Sequence, residues 1–384
     1  MTAMVSRRLA LPARSFFLLG PRGTGKTTWL RAVLPEARWF NLLSQRELTR
    51  LLTAPGLFRQ EVDALPDGTW VVVDEVQRLP ALLDEVHDVL SGDATRVRFA
   101  LTASSARKLR AAQANLLAGR ALSRRMFPLV LSELGGPVDV DDVLRFGGLP
   151  GVRAEADAGL RGELLEAYRD TYLVEEIRNE GLVRSLDAFA RFLDVAALMN
   201  AQVLNVATTA RDAGVSRTTV LGYFQLLVDT MVGVLLQAWR ARARVKETAH
   251  PKFYLFDTGV ARTLAGRGRE ALHESERGAL LETWVLHELR AWQHDAGVGG
   301  DVSYWRVQSG LEVDFVWQRG TTRVGIEVKA SHRWRAEDSA GLLALDAAVG
   351  LTRRLGVYLG ERRLKVGSVE VFPVAELPGV LAGL

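Results

Sequence analysis

The chain has 384 residues, 48% of them hydrophobic and 24% charged, the balance of a folded protein with more than one domain. It has no cysteine, which excludes disulfides, thiolate nucleophiles and cysteine zinc sites, and its six histidines form no His-Glu-x-x-His pair for a zinc hydrolase. The net charge of +4 permits a nucleic-acid partner, although a simple abundance of arginine would produce the same balance.

In the first part of the chain, short apolar runs alternate with longer helix-like patterns. Ser15–Leu19, Trp70–Val73 and Val97–Thr102 are expected strands, and the alternation implies an α/β domain with a parallel sheet flanked by helices. After the first run comes Gly20, Pro21, Arg22, Gly23, Thr24, Gly25, Lys26, Thr27 and Thr28, a G-x-x-x-x-G-K-T phosphate loop between a strand and a helix. Its glycines allow backbone N–H groups to turn toward phosphate oxygens, with a helix N-terminus adding its dipole. Lys26 is expected to meet the β- and γ-phosphates, and Thr27 to offer its hydroxyl to Mg2+. Asp74 closes the second strand and would hold the metal through water, while Glu75 would orient the attacking water. Thr102 ends the third strand, where it can sense the γ-phosphate. Ser104 and Ser105 suit either that task or a helix cap. ATP is the expected nucleotide, since no Asn-Lys-x-Asp guanine string occurs.

Between Ala94 and Ser132 every charged side chain is basic. Arg120, or Arg124 with Arg125, is a candidate arginine finger for a neighbouring subunit and so points to a homo-oligomer; a solvated helix face is the plainer reading. Turn signals at Gly135–Val138 and Gly147–Gly151 place a boundary near residue 135.

The middle segment, 136–275, is expected to be helical from Leu160 to Met199 and then to form a helix-turn-helix. One helix ends at Gly214, Ser216 caps the next, and that helix buries Val220, Phe224 and Leu227. Val232–Trp239 and Lys252–Phe256 read as strands joined by a basic tip, like a wing. DNA contacts are expected from Arg217 at the start of the second helix and from Arg240, Arg242 and Arg244 on the tip. The same unit could instead be a protein-binding lid on the first domain.

The last segment, 276–384, reads as helix (Ala279–Gln293), three strands (Val302–Val307, Val313–Gln318, Val324–Val328), helix (Glu337–Ala347) and strand (Arg354–Leu359). Asp314, Glu327 and Lys329 follow a D-x12-E-x-K spacing, and Glu282 lies on the preceding helix. Glu327 and Lys329 share one strand face, with Asp314 on the neighbouring strand, so carboxylates and an ammonium gather at one spot. Such carboxylates bind Mg2+, with Asp314 and Glu327 as ligands, and a nearby lysine stabilises developing charge during phosphodiester hydrolysis. The alternative is a sheet face with ordinary salt bridges.

Several strings together resemble a family: Leu19–Thr27, Val73–Pro80, Leu101–Leu109, Leu117–Arg120, Phe127–Leu129, Phe146–Gly151, Phe253–Gly259, Gly278–Glu282, Glu312–Phe315 and Ile326–Lys329. The chain is similar to prokaryotic AAA-type P-loop ATPases that carry a winged-helix segment and a C-terminal domain of unknown function with a restriction-endonuclease-like core. The resemblance covers nearly the whole chain and implies an ATPase joined to a nuclease-like domain. Ala103 departs from the family's usual glycine, a change that matters only if φ is positive there.

The basic start, Met1–Ala10, precedes no long apolar stretch, and the apolar run Leu226–Trp239 is broken by Asp229 and Gln237, which suggests a cytoplasmic protein with no membrane partner. The expected function is ATP-driven DNA processing with a metal-dependent nuclease-like domain, acting on branched or broken DNA. Its rivals are an ATP-gated DNA-binding switch with an inactive nuclease fold, and an antitoxin-like or signalling ATPase working through protein partners.

Overall fold

Apolar strands in the first part of the chain assemble into a parallel sheet. β1 (Phe16–Leu19), β2 (Arg38–Asn41), β3 (Thr69–Asp74), β4 (Val97–Ala103) and β5 (Leu122–Arg125) lie in the order β2-β3-β4-β1-β5, with every neighbouring pair parallel. Successive side chains face opposite sides. Phe17, Val71, Val73, Phe99 and Leu101 enter one core cluster, whereas Phe16, Leu18, Val72 and Ala100 enter another. Helix α1 (Lys26–Val33) sends Trp29 and Leu30 into the second cluster. Helices α2 (Gln45–Thr53), α3 (Leu57–Asp63) and α4 (Leu82–Gly92) supply Leu51, Phe58, Val86 and Leu90 to the first. Both faces are therefore covered, as parallel strands with helical crossovers require.

The computed structural model describes residues 5–105, 107, 117, 119–173, 183, 185–240 and 250–384. It divides into two compact units, Ser6–Pro128 with Asp229–Val232, and Leu129–Val228 with Gly233–Leu384 and the N-terminal end. The middle and C-terminal segments thus share one unit.

That second unit begins with α5 (Leu131–Leu134), α6 (Val140–Phe146), α7 (Pro150–Arg153), α8 (Ala158–Ala167) and α9 (Leu186–Leu198). β6 (Gln202–Val203), α10 (Val206–Ala213) and α11 (Arg217–Asp229) follow, then β7 (Gly233–Leu236) and β8 (Lys252–Leu255). These three strands form an antiparallel sheet in the order β6-β8-β7. The turn between α10 and α11 needs Gly214, whose φ is 66°. Ser216 Oγ accepts from Thr219 N at 3.1 Å, and Val220, Phe224 and Leu227 are buried. The expected strand Val232–Trp239 is shorter in the structure, ending at Leu236.

After α12 (Thr258–Leu264), the long helix α13 (Glu274–Asp295) leads into a six-stranded sheet. β9 (Asp301–Arg306), β10 (Glu312–Arg319), β11 (Thr322–Lys329), β12 (Arg353–Tyr358), β13 (Leu364–Val366) and β14 (Val369–Pro373) lie in the order β13-β14-β12-β11-β10-β9. β9, β10 and β11 form an antiparallel meander, and β12 joins β11 in parallel. α14 (Ala340–Val349) packs Leu342 and Leu345 with Val313, Val316 and Val371, and α15 (Leu377–Ala382) ends the chain. A register shift between Val313 and Val316 brackets Asp314, an irregularity of the kind that re-aims side chains beside a site.

Candidate nucleotide site and acid–lysine centre

The loop after β1 is fixed by close approach. A Cβ on Gly20 would lie 2.3 Å from the carbonyl oxygen of Met126, so only glycine fits, and Gly23 and Gly25 take φ of 83° and 90°. Thr24 Oγ1 donates to Pro21 O at 2.9 Å, tightening the loop from inside. Arg22 is half-buried beside it, and Thr28 is exposed in the first turn of α1. Lys26 is buried, and its ammonium donates to Gly20 O at 2.7 Å and Pro21 O at 3.1 Å.

Two strand ends and the first turn of α1 converge next to this loop. Thr27 Oγ1 donates to Asp74 Oδ1 and Oδ2 at 3.1 and 2.9 Å. Thr102, at the end of β4, donates to Asp74 Oδ1 at 2.6 Å and accepts from Glu75 N at 2.8 Å. Burial raises the Asp74 carboxyl above its ordinary range, while the bonds from Thr102 and Thr27 pull it back. Glu75 adopts a left-handed backbone with φ 60°, uncommon for a non-glycine residue and frequent at functional positions. Its carboxylate accepts from Gln77 Nε2 and, at 2.9 Å, from Ser104 Oγ. Gln77 Nε2 also donates to Ser104 Oγ at 2.9 Å.

Sequence reasoning had no role for Gln77, although it lies two residues past Glu75. Ser104 bonds the Glu75 side chain, a contact the sequence did not signal. Ala103 sits in β4 without positive φ, so its departure from glycine is unstrained. The donor set suits a triphosphate with Mg2+: a cradle that a Cβ would fill, a buried ammonium, and a threonine hydroxyl on an aspartate. Arg120 and Arg125 are exposed, and Arg124 is half-buried.

In the second unit, β10, β11, α13 and β8 bring charged groups together. Asp314 is buried and its Oδ2 accepts from Val328 N at 2.8 Å. Lys329 donates to Glu327 Oε1 at 2.6 Å, while Glu327 Oε2 is buried with no partner. Ile326 and Val328, alternating with these, are buried as expected for the opposite strand face. Glu282 on α13 accepts from Tyr254 at 3.1 Å and from Lys252 at 3.3 Å. Lys252 also pairs with Glu312 and stands 3.7 Å from Asp314 Oδ1.

Loss of solvent, with the Asp314 charge next, pushes Glu282 and Glu327 up to about 8, and burial raises Asp314 in the same direction. Burial opposes the charged form of Lys252, but Glu282, Asp314 and Glu312 outweigh it and hold the ammonium charged. The unpartnered Glu327 oxygen is a free hard donor of the type Mg2+ takes. Among the described residues, no group of three or more His, Cys, Asp or Glu side chains is arranged to hold a metal ion.

Lys252, Tyr254 and Glu312 were not anticipated as members of this centre. The available signal was Lys252 and Tyr254 two apart on an expected strand, hence on one face. Arg217 and Arg240 are exposed, whereas Arg242 and Arg244 lie outside the described residues. No helix among the described residues is long and apolar enough to cross a membrane.

Residues 13–135 match the family described as AAA domain, residues 138–271 a domain of unknown function (DUF8612), and residues 277–377 another (DUF4143). The segment that holds the phosphate loop is thus similar to AAA domains. An uncharacterised protein of Mycobacterium tuberculosis is 27% identical over 373 residues, covering 95% of this chain and 81% of that protein. An uncharacterised protein of Haemophilus influenzae is 23% identical over 292 residues, covering 71% of this chain and 68% of its own length. Among solved structures, the ORC2 protein of Aeropyrum pernix aligns with a TM-score of 0.38 at 12% identity, covering 67% of this chain and 88% of that one.

Proposed function

We propose that the chain is an ATP-hydrolysing, DNA-processing protein in which an AAA-type domain drives or gates a metal-dependent nuclease-like centre. One observation carries the reading: a single chain combines the Lys26–Thr27–Asp74–Glu75 constellation with a buried Asp314–Glu327 pair beside half-buried Lys329, with one carboxylate oxygen free. At the first centre Lys26 faces the β- and γ-phosphates, Thr27 and Asp74 hold Mg2+, and Glu75 orients water. At the second, Asp314 and Glu327 hold Mg2+, which when bound polarises a phosphodiester, and Lys329 offsets developing negative charge. Glu282 orients groups from the helix side.

The order α9-β6-α10-α11-β7-β8 supports a winged helix, with Arg217 and Arg240 exposed for phosphate contact. In this reading the chain works as three domains, 1–135, 136–275 and 276–384, the last with a restriction-endonuclease-like fold. Arg120 serves as a finger in trans, so turnover of ATP depends on a homo-oligomer. A rival reading, an ATP-gated DNA-binding switch with an inactive nuclease fold, draws support from Lys252 lying among the carboxylates.

DNA-dependent ATP turnover tests the proposal. Duplex DNA should stimulate hydrolysis by the wild type and not by Lys26→Ala. Its affinity should fall steeply with salt, with Arg217→Ala and Arg240→Ala each shallowing the log–log slope by roughly one unit. Turnover indifferent to DNA, with no salt-dependent binding, would contradict it.

A further inference from the structure

Lys252 is the deepest cation of the second centre. It is 4% exposed, pairs with Glu312, lies 3.3 Å from Glu282 Oε2 and 3.7 Å from Asp314 Oδ1, and sits over the Tyr304 ring at 5.6 Å. An ammonium so placed is stable because three carboxylates replace its hydration shell. The same contacts commit carboxylate oxygens that could otherwise coordinate a metal. Glu282, Glu312, Asp314 and Glu327 lie among Lys252, Lys329 and Arg306, the last 3.6 Å from Glu312 Oε2, so four carboxyl groups meet three cations. The donor that remains free is Glu327 Oε2, buried and unpartnered.

We propose that Lys252 is a built-in cation that takes the place of a second metal ion, so that the centre accepts one divalent cation, on Asp314 and Glu327. This rests on the metal reading given above. Lys252 reaches the centre from β8, within the segment that carries the winged-helix order, so two segments of the chain complete one site. Mg2+ commonly binds through one or two carboxylates and several waters, which suits a two-ligand site.

Nucleotide-free, full-length protein carrying Lys26→Ala, which weakens the P-loop site, is titrated with Mn2+ and the bound metal counted by electron paramagnetic resonance. The expected result is one Mn2+ per chain, lost in Asp314→Asn. Lys252→Met, made in the same background, should bind two, and Lys252→Arg, which keeps the charge, should bind one. Far-UV circular dichroism and thermal unfolding of Lys252→Met, set beside those of the starting protein, report folding. If that variant misfolds, wild-type and Lys252→Arg counts decide, and two ions in either overturn the proposal. One ion in a folded Lys252→Met, with unchanged affinity, leaves the metal reading standing and reduces Lys252 to a structural salt bridge. No Mn2+ on the starting protein overturns the metal reading and the role of Lys252 together.

Discussion

Thr102→Val isolates the hydroxyl that joins the two strand ends of the nucleotide site. The side chain is fully buried, and valine matches its shape. Two interactions vanish: a bond donated to ionised Asp74 at 2.6 Å, and the acceptor for Glu75 N at 2.8 Å. A hydrogen bond to a charged group contributes ~1.5–3 kcal/mol, and a buried N–H left without an acceptor costs ~1–3 kcal/mol. Asp74 keeps Thr27, so the two losses do not add fully, and ~2–4 kcal/mol is expected. Thr102→Ser keeps the hydroxyl and should cost only about 1 kcal/mol for the lost methyl. Hydrogen exchange of peptides covering β3 and β4 reads this locally, without interference from the second unit. Protection of the slowest amides should fall roughly 30- to 1,000-fold in Thr102→Val. Protection within threefold of wild type, or equal damage from serine and valine, would show that the hydroxyl does not tie these strands.

Asp257 caps α12 and accepts from Gly148 N at 2.7 Å and Val260 N at 3.0 Å. Burial nevertheless raises it from 3.8 to about 6. The folded chain therefore binds this proton more tightly than the unfolded chain, so the associated stability is present below pH ~4 and lost as pH rises through ~6, a span worth roughly 3 kcal/mol. Asp257→Asn should remove that component, and urea unfolding of both proteins at several pH values should show a difference that changes across the window; parallel pH profiles would refute it. Lys26→Ala should weaken ATP binding and abolish turnover. Glu75→Gln should keep ATP bound while turnover falls by roughly 100-fold or more, and wild-type turnover there would remove Glu75 from the water-orienting role.

The phosphate loop was legible because its chemistry demands contiguous residues, from Gly20 to Thr27, in a strand–loop–helix setting. β1, β3 and β4 were legible as well, since central parallel strands are apolar on both faces. β2 and β5 were not: Arg38–Asn41 and Leu122–Arg125 are short, half-exposed edge strands without a continuous apolar run. β13, β14 and α15 were missed for a related reason, each being too short to display a period. In the second centre, spacing along one strand marked Glu327 and Lys329, and Asp314 followed from the adjacent strand. Lys252 could not be found that way, because its partners are set by tertiary packing of β8 against α13 and β10. Gln77 and Ser104 likewise acquire meaning only when β3 and β4 lie side by side.

Metal-dependent DNA cleavage measures the central claim most directly. Wild-type, Lys26→Ala and Asp314→Ala proteins, purified side by side, are incubated with labelled linear, forked and four-way DNA, with Mg2+ or Mn2+ and with or without ATP. The account predicts cleavage by the wild type, weaker cleavage by Lys26→Ala, and none by Asp314→Ala although that protein still hydrolyses ATP. Equal cutting by wild-type and Asp314→Ala preparations, or none by either, would contradict it and favour the ATP-gated binding switch.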